Sequence, residues 1–369
     1  MKKGLFLAIL VVLAGCCPPK KEGNVVKIAL VCPLTGDLAA MGQGMKRGAE
    51  MAVSEANKTL TRFKFELVSF DDRADPKEAV NVAAQIISDP NIYGVVGHLN
   101  SGCSIPASSV YAKKNLIMIS PASTNPKLTL QGLPNVFRVC TTDDVQGSFG
   151  ADFLINKLNI KNVAIIHDKT AYGQGLAEEF KKRFEENKGV ILSFDGINIA
   201  DKDFKALLIS IKDKKPGAIY FGGVYGEGGL ISKQAKELGL NVPLIGGDGL
   251  FSPEYIKIAG NAAEGNFVTM VGVGIENLQE AQGFLERFKN KYPDVESQPY
   301  DHYTYEAANI IISAISNSGL DNLKVINWVK NVNYQGILGE TKFDEKGDTL
   351  NKAISVYKVE GEKFVLIKE

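Results

Sequence analysis

From residue 24 onward the chain alternates short β-branched runs with longer stretches of helical period. Val25-Val26-Lys27-Ile28-Ala29-Leu30-Val31 reads as a strand and 33–37 as a turn. Met45, Ala49, Ala52 and Ala56 then recur at helical spacing, predicting a helix over 45–57. A strand follows over 65–70. Asp75-Pro76 supplies an N-cap and a first-turn proline for a helix over 77–88. Strands at 92–96 and 116–119 flank a helix over 104–113. The same rhythm restarts after Thr141, with strands at 163–166, 190–194, 218–221, 242–245 and 267–271. Helices over 175–187, 204–212 and 229–238 separate them. Alternation of this kind predicts two doubly wound α/β sheets, parallel, with helices on both faces. Helical patterns over 277–291 and 300–318 come after the second set has closed, and two short strands lie within 354–367. The chain is therefore expected to return to the first lobe near 271 and to the second near 350. The expected lobes are 24–142 with 272–349, and 143–271 with 350–369. Ligands of open α/β sheets sit at the carboxyl ends of strands, so the cleft between two such sheets is the expected site.

Composition narrows the function classes. The 369 residues carry 42 basic and 42 acidic side chains, 45% hydrophobic and 23% charged residues, an ordinary globular balance. Zero net charge argues against a nucleic-acid binder. The first residues follow another logic. Lys2 and Lys3 precede an apolar run over 5–12 and then Leu13-Ala14-Gly15-Cys16. That run is too short to span a membrane and reads as a secretory signal over 1–15. The small residues ending in cysteine resemble the lipobox of bacterial lipoproteins, which implies a lipid on Cys16. Residues 16–23 would be a polar tether, and the protein would be extracytoplasmic (periplasmic) and membrane-anchored. Cys32, Cys103 and Cys140 lack metal-site spacing, so no metal is expected, and at most one disulfide can form.

Several chemistries fail on spacing. Gly42-Gln43-Gly44-Met45-Lys46-Arg47-Gly48 starts too far from its strand for a dinucleotide loop, and reads as close helix packing instead. No G-x-S-x-G elbow is present. Ser101, His98 and Asp72 could assemble in space, yet no spacing requires it, and the chain is not expected to be an enzyme. The informative residues lie at strand ends. The segment 97–104 ends a strand and opens a helix, whose free N–H groups and positive dipole suit a carboxylate. The loop 120–126 lies beside it with carbonyls and hydroxyls. In the second half, Gly246-Gly247-Asp248-Gly249 sets one acid among glycines. Donors in one lobe and a carboxylate in the other suit a zwitterion.

These stretches, together with 68–72, 75–80, Tyr172-Gly173-Gln174-Gly175, Ala262-Ala263-Glu264-Gly265 and 344–348, fall in an order that resembles the leucine/isoleucine/valine-binding proteins of branched-chain amino-acid ABC importers. The resemblance spans about 25–357. It implies a type I periplasmic binding protein: two α/β lobes joined by a three-strand hinge. It implies a carboxylate held by Ser101 and Thr124, and an ammonium held by the Ala122 carbonyl and Asp248, where the family usually has Glu. Leu99, Asn100, Tyr172 and Tyr300 would surround the side chain. Met41 and Val224 stand where the family often has larger aromatics. Ala74 and Asn100 stand where some members form a disulfide. The implied partners are a free amino acid and the permease and ATPase subunits of a transporter. No cofactor is implied. Another amino acid, an amide, an aromatic acid, or a ligand-sensing role are the alternatives left open.

Overall fold

The computed structural model describes residues 25–367, so the signal, Cys16 and the tether lie outside the described residues. Two sheets organise the chain. The first has order β2-β1-β3-β4-β5 and is parallel throughout. Its strands are β1 (Val25–Cys32), β2 (Lys64–Asp71), β3 (Ile92–Gly97), β4 (Met118–Ser120) and β5 (Val136–Arg138). The second has order β14-β13-β10-β9-β8-β6-β7. It comprises β6 (Asn162–His167), β7 (Val190–Gly196), β8 (Ala218–Gly222), β9 (Leu244–Gly246), β10 (Phe267–Val271), β13 (Ile354–Glu360) and β14 (Lys363–Leu366). Strands β6 to β10 are parallel, whereas β13 runs antiparallel to β10 and β14 antiparallel to β13. The second sheet is therefore mixed rather than wholly parallel, because a tight turn at Gly361 joins β13 to β14 and cannot make a parallel crossover. A small hairpin, β11 (Tyr334–Gly336) and β12 (Gly339–Thr341), completes the strands.

Strands β3 and β8 are buried along their whole length, as expected of parallel strands covered on both faces. Helix Pro76–Ile86 begins where Asp75 accepts the N–H groups of Lys77 and Glu78 at 2.7 and 3.0 Å. The glycines 42, 44 and 48 lie inside helix Ala39–Thr59. A Cβ on Gly48 would stand 2.0 Å from the Asp301 carbonyl oxygen, so glycine lets this helix press against helix Asp301–Ser318. They form no dinucleotide loop. The helical pattern at 277–291 resolves into two 3₁₀ turns and the shorter helix Gln282–Lys291. Among the described residues no helix is long and apolar enough to cross a membrane.

The chain passes between the sheets three times, after β5, after β10 and before β13. These crossings are bonded to one another. The Arg138 N–H donates to the Gly347 carbonyl at 3.0 Å, and the Gly272 N–H to the Ala353 carbonyl at 2.8 Å. Cys32, Cys103 and Cys140 are buried free thiols, each pushed up by burial, Cys140 to about 12.

Candidate functional site

The carboxyl end of β3 turns directly into helix Ser101–Ala112, three residues earlier than its apolar spacing predicts. Helix geometry leaves the first N–H groups, those of Ser101 and Gly102, without an intrahelical acceptor. Asn100 occupies the N-cap position, yet its side chain caps nothing. The end of β4 supplies the neighbouring loop. Ser120 Oγ donates to the His98 carbonyl at 3.0 Å and accepts the Ser123 N–H at 2.9 Å. Ser123 Oγ in turn bonds Ser104 Oγ at 2.6 Å. Ser101 Oγ accepts the Asn125 N–H at 3.2 Å. Two loops from adjacent strand ends are thus stitched into one surface.

Arg138 backs that surface. It is fully buried, and donates to the Ser123 and Asn125 carbonyls at 2.8 and 2.9 Å, to Thr129 Oγ1 at 2.6 Å and to Asp348 at 2.5 Å. A buried cation whose donors are shared this way fixes the path of the loop that carries Ala122 and Thr124.

Across the cleft, β9 ends in a 3₁₀ turn, Asp248–Leu250. Asp248 is 3% exposed. Two neutral phenols donate to it, and the Gln146 amide lies beside it. Tyr172, on a helix of the second lobe, donates at 3.0 Å, while accepting the Gly249 N–H at 2.9 Å. Tyr300, just before helix Asp301–Ser318 on the first lobe, donates to the other oxygen. Burial holds the Asp248 carboxyl above its ordinary value despite these two donors. Burial and the neighbouring Asp248 charge push both phenols well up.

Nine of the ten expected site residues line one cavity of about 30 Å³, and Gly249 joins them. Met41, Leu99, Asn100, Ser101, Ala122 and Tyr300 come from the first lobe. Tyr172, Val224 and Asp248 come from the second. The tenth, Thr124, is not on the wall. Its side chain is fully buried beside the Asp143 carboxylate, with no well-formed hydrogen bond between them. The lobes touch around the cavity. Tyr225 donates to the Asp37 carbonyl and Asn125 to the Ala171 carbonyl, both at 2.5 Å, and Ser252 donates to Gln298 at 3.0 Å.

The possible Ser–His–Asp set does not form. His98 Nδ1 bonds Asp72 at 2.7 Å, but its Nε2 faces the Tyr111 hydroxyl at 3.0 Å, and all three are buried. Both ring nitrogens are occupied, and Ser101 points elsewhere.

Spacing alone missed three residues. Arg138 ends a three-residue strand too short to show alternation. Asp143 and Gln146 sit in helix Asp143–Asn156, which has no apolar stripe. Thr142 followed by two acids was the available N-terminal signal. Asp143 is fully buried with both carboxylate oxygens unbonded, and burial raises its carboxyl well above the usual range, with the Asp248 charge adding to the rise.

Comparison with known proteins bears on the family and the fold. A family model described as a periplasmic binding protein matches residues 25–363. The chain is 37% identical over 356 residues to Leu/Ile/Val-binding protein homolog 2 of Brucella abortus, covering 94% of each chain. It is 34% identical to the leucine-, isoleucine-, valine-, threonine-, and alanine-binding protein of Pseudomonas aeruginosa, covering 97% of each. Among solved structures, the leucine binding protein LivK of Thermotoga maritima superposes with a TM-score of 0.87 at 32% identity, over 93% of this chain and 98% of that one. LivJ of Streptococcus pneumoniae, solved with isoleucine, superposes with a TM-score of 0.86 at 26% identity, over 94% of this chain and 100% of that one.

Proposed function

Because the chain belongs to the periplasmic binding protein family, with the type I fold, we propose that it captures a free L-amino acid, leucine, isoleucine or valine, and delivers it to an ABC permease. Residues 24–142 with 272–349 form one lobe and 143–271 with 350–369 the other. The ligand lies between them, and Cys16 carries the lipid that anchors the protein outside the cytoplasm. The observation that carries this reading is the cavity itself. Unpaired helix N–H groups and a serine hydroxyl share this cavity with a buried carboxylate whose neighbouring donors, Tyr172, Tyr300 and Gln146, are all uncharged.

Ser101 and the first turn of its helix hold the α-carboxylate, where a charge-assisted bond is worth about 1.5–3 kcal/mol. The Ala122 carbonyl and Asp248 hold the α-ammonium. Met41, Leu99 and Val224 cover the aliphatic side chain. Asp248 and Tyr300 come from different lobes, so the ligand's charges bridge both and favour the closed form. No bond is made or broken, and no cofactor is needed.

The test is to denature the purified protein, identify the released small molecule by mass spectrometry, and titrate the emptied protein with each common amino acid. Release or binding of a branched-chain amino acid is expected. A protein that binds none of the amino acids would end this reading.

A further inference from the structure

Two side chains bond across the gap between the lobes without lining the cavity. Tyr225 opens helix Tyr225–Glu237, and its buried hydroxyl donates to the Asp37 carbonyl at 2.5 Å. Asn125 donates to the Ala171 carbonyl at the same distance, but it also shapes its own loop, through Ser101 Oγ and the Lys127 N–H. The Tyr225 bond carries no such second duty. Its acceptor is backbone, in a turn that the first lobe holds by itself. There the Leu34 N–H and Thr35 Oγ1 donate to Asp71 at 2.9 and 2.5 Å, and the Ala39 N–H donates to the Gly36 carbonyl at 3.1 Å. Burial, with the charges of Glu254 and Asp37 adding to it, pushes the Tyr225 phenol up to about 12, so it keeps a proton to donate throughout the neutral range.

The two ends of this bond sit beside the two lobes' contributions to the cavity wall. Val224 directly precedes Tyr225, Met41 shortly follows Asp37, and both Val224 and Met41 line the cavity. The bond therefore fastens together segments that cover a bound side chain, through protein atoms alone. We propose that Tyr225 is a positioning residue for ligand capture: its bond to Asp37 holds the lobes closed, and so sets how tightly every ligand is held without choosing among them. This inference rests on the amino-acid reading of the cavity, which supplies the ligands for its test. When the lobes part, the hydroxyl passes to water, so closure gains the net worth of one hydrogen bond, about two- to tenfold in the closed-to-open ratio. A ligand that binds the closed form gains by that factor whatever its side chain. An ion pair crosses the same gap, Lys202 Nζ to Asp37 Oδ2 at 3.8 Å, but its side chains are 62% and 74% exposed, so water screens it and it adds almost nothing.

The experiment is calorimetric titration of leucine, isoleucine and valine into the wild type, Tyr225→Phe and Lys202→Gln, with release rates by stopped-flow fluorescence and ligand-free melting of each protein. Tyr225→Phe keeps the ring and removes one oxygen. It should weaken all three ligands by one common factor, about two- to tenfold, chiefly through faster release. Lys202→Gln should leave all three affinities unchanged, and both empty variants should melt as the wild type does. Affinities unmoved by Tyr225→Phe, or losses that differ among the three ligands, would overturn this inference and leave the amino-acid reading standing. An equal loss in Lys202→Gln would place the effect in surface charge, and a uniform loss with lowered ligand-free melting would assign the bond to the fold; either would overturn it as well. A wild type that binds none of the three would remove the amino-acid reading and this inference with it.

Discussion

Replacing Asp248 by asparagine should weaken ligand binding and stabilise the empty protein, two effects of opposite sign from one atom. Asp248 is 3% exposed, and its side-chain donors, the hydroxyls of Tyr172 and Tyr300 and the Gln146 amide, carry no charge. The ammonium of a bound amino acid supplies the missing counter-charge. Removing one member of a buried pair costs about 3–5 kcal/mol, because the other is left desolvated and alone. At about 1.4 kcal/mol per decade, leucine affinity should fall by roughly two to four decades. Shape is kept, since the asparagine oxygen still accepts one phenol and its NH₂ faces the other. Stability moves the other way. Burial raises the folded-state pKa of Asp248. A raised carboxyl costs the fold nothing below the unfolded value of about 3.9, and a penalty that grows as pH rises from there to the folded value and is constant above it. The asparagine variant should therefore melt no lower than wild type at pH 8, and its relative advantage should shrink toward pH 4. Calorimetric titration with leucine and scanning calorimetry of the empty proteins measure the two effects. Leucine bound within threefold of wild type, together with a lowered melting temperature, would show that Asp248 is a turn residue and refute the argument.

Three further expectations follow from the same structure. Ser101→Ala should cost tenfold or more in leucine affinity, and it should lower the melting temperature slightly because Ser101 Oγ also accepts the Asn125 N–H; leucinamide, which lacks the carboxylate, should bind the wild type far more weakly than leucine in the same calorimeter. Asp143→Asn removes a buried carboxyl whose pKa burial raises, so thermal melts between pH 4 and pH 8 should show the variant gaining on wild type as pH increases. Cys16→Ser should abolish membrane association in cell fractionation, and the wild-type N-terminus should carry an acyl mass in intact-protein spectrometry.

The repeating strand–helix rhythm was legible because most strands here are short β-branched runs bounded by turns. Strands β1, β2, β3, β6, β8 and β10 fall where those runs lie. Helix starts were less legible. Helices Ala39–Thr59 and Ala171–Glu186 begin several residues before their apolar spacing does, because the one large side chain in each first turn, Met41 or Tyr172, lines the cleft and stands among alanine and glycine. Helix Asp143–Asn156 escaped altogether. It is buried on several sides and must stay slim: a Cβ on Gly147 would lie 2.7 Å from the Phe180 nitrogen. A helix that needs glycine and glutamine in its interior presents no stripe to read. The site was legible mostly through resemblance, with its motifs at strand ends. Which way Thr124 turns was not legible, because a hydroxyl in a loop gives no sign of its direction; here the Asp143 N–H donates to the Thr124 carbonyl at 3.0 Å, and the side chain is fully buried.

Arg138 also sets the order in which the protein can be completed. It joins Asp348 across 210 residues of chain, and β10 meets its neighbour β13 only after another long stretch. A growing polypeptide holds β5 and the 120–126 loop long before either partner exists. Until Asp348 arrives, burying the guanidinium means burying an ion without its counter-charge, at about 3–5 kcal/mol. That is a large share of the 5–15 kcal/mol by which a domain is stable. On this energetics the first lobe is expected to gain its full stability only once Asp348 has been made, so a chain truncated before residue 348 should melt well below the full-length protein.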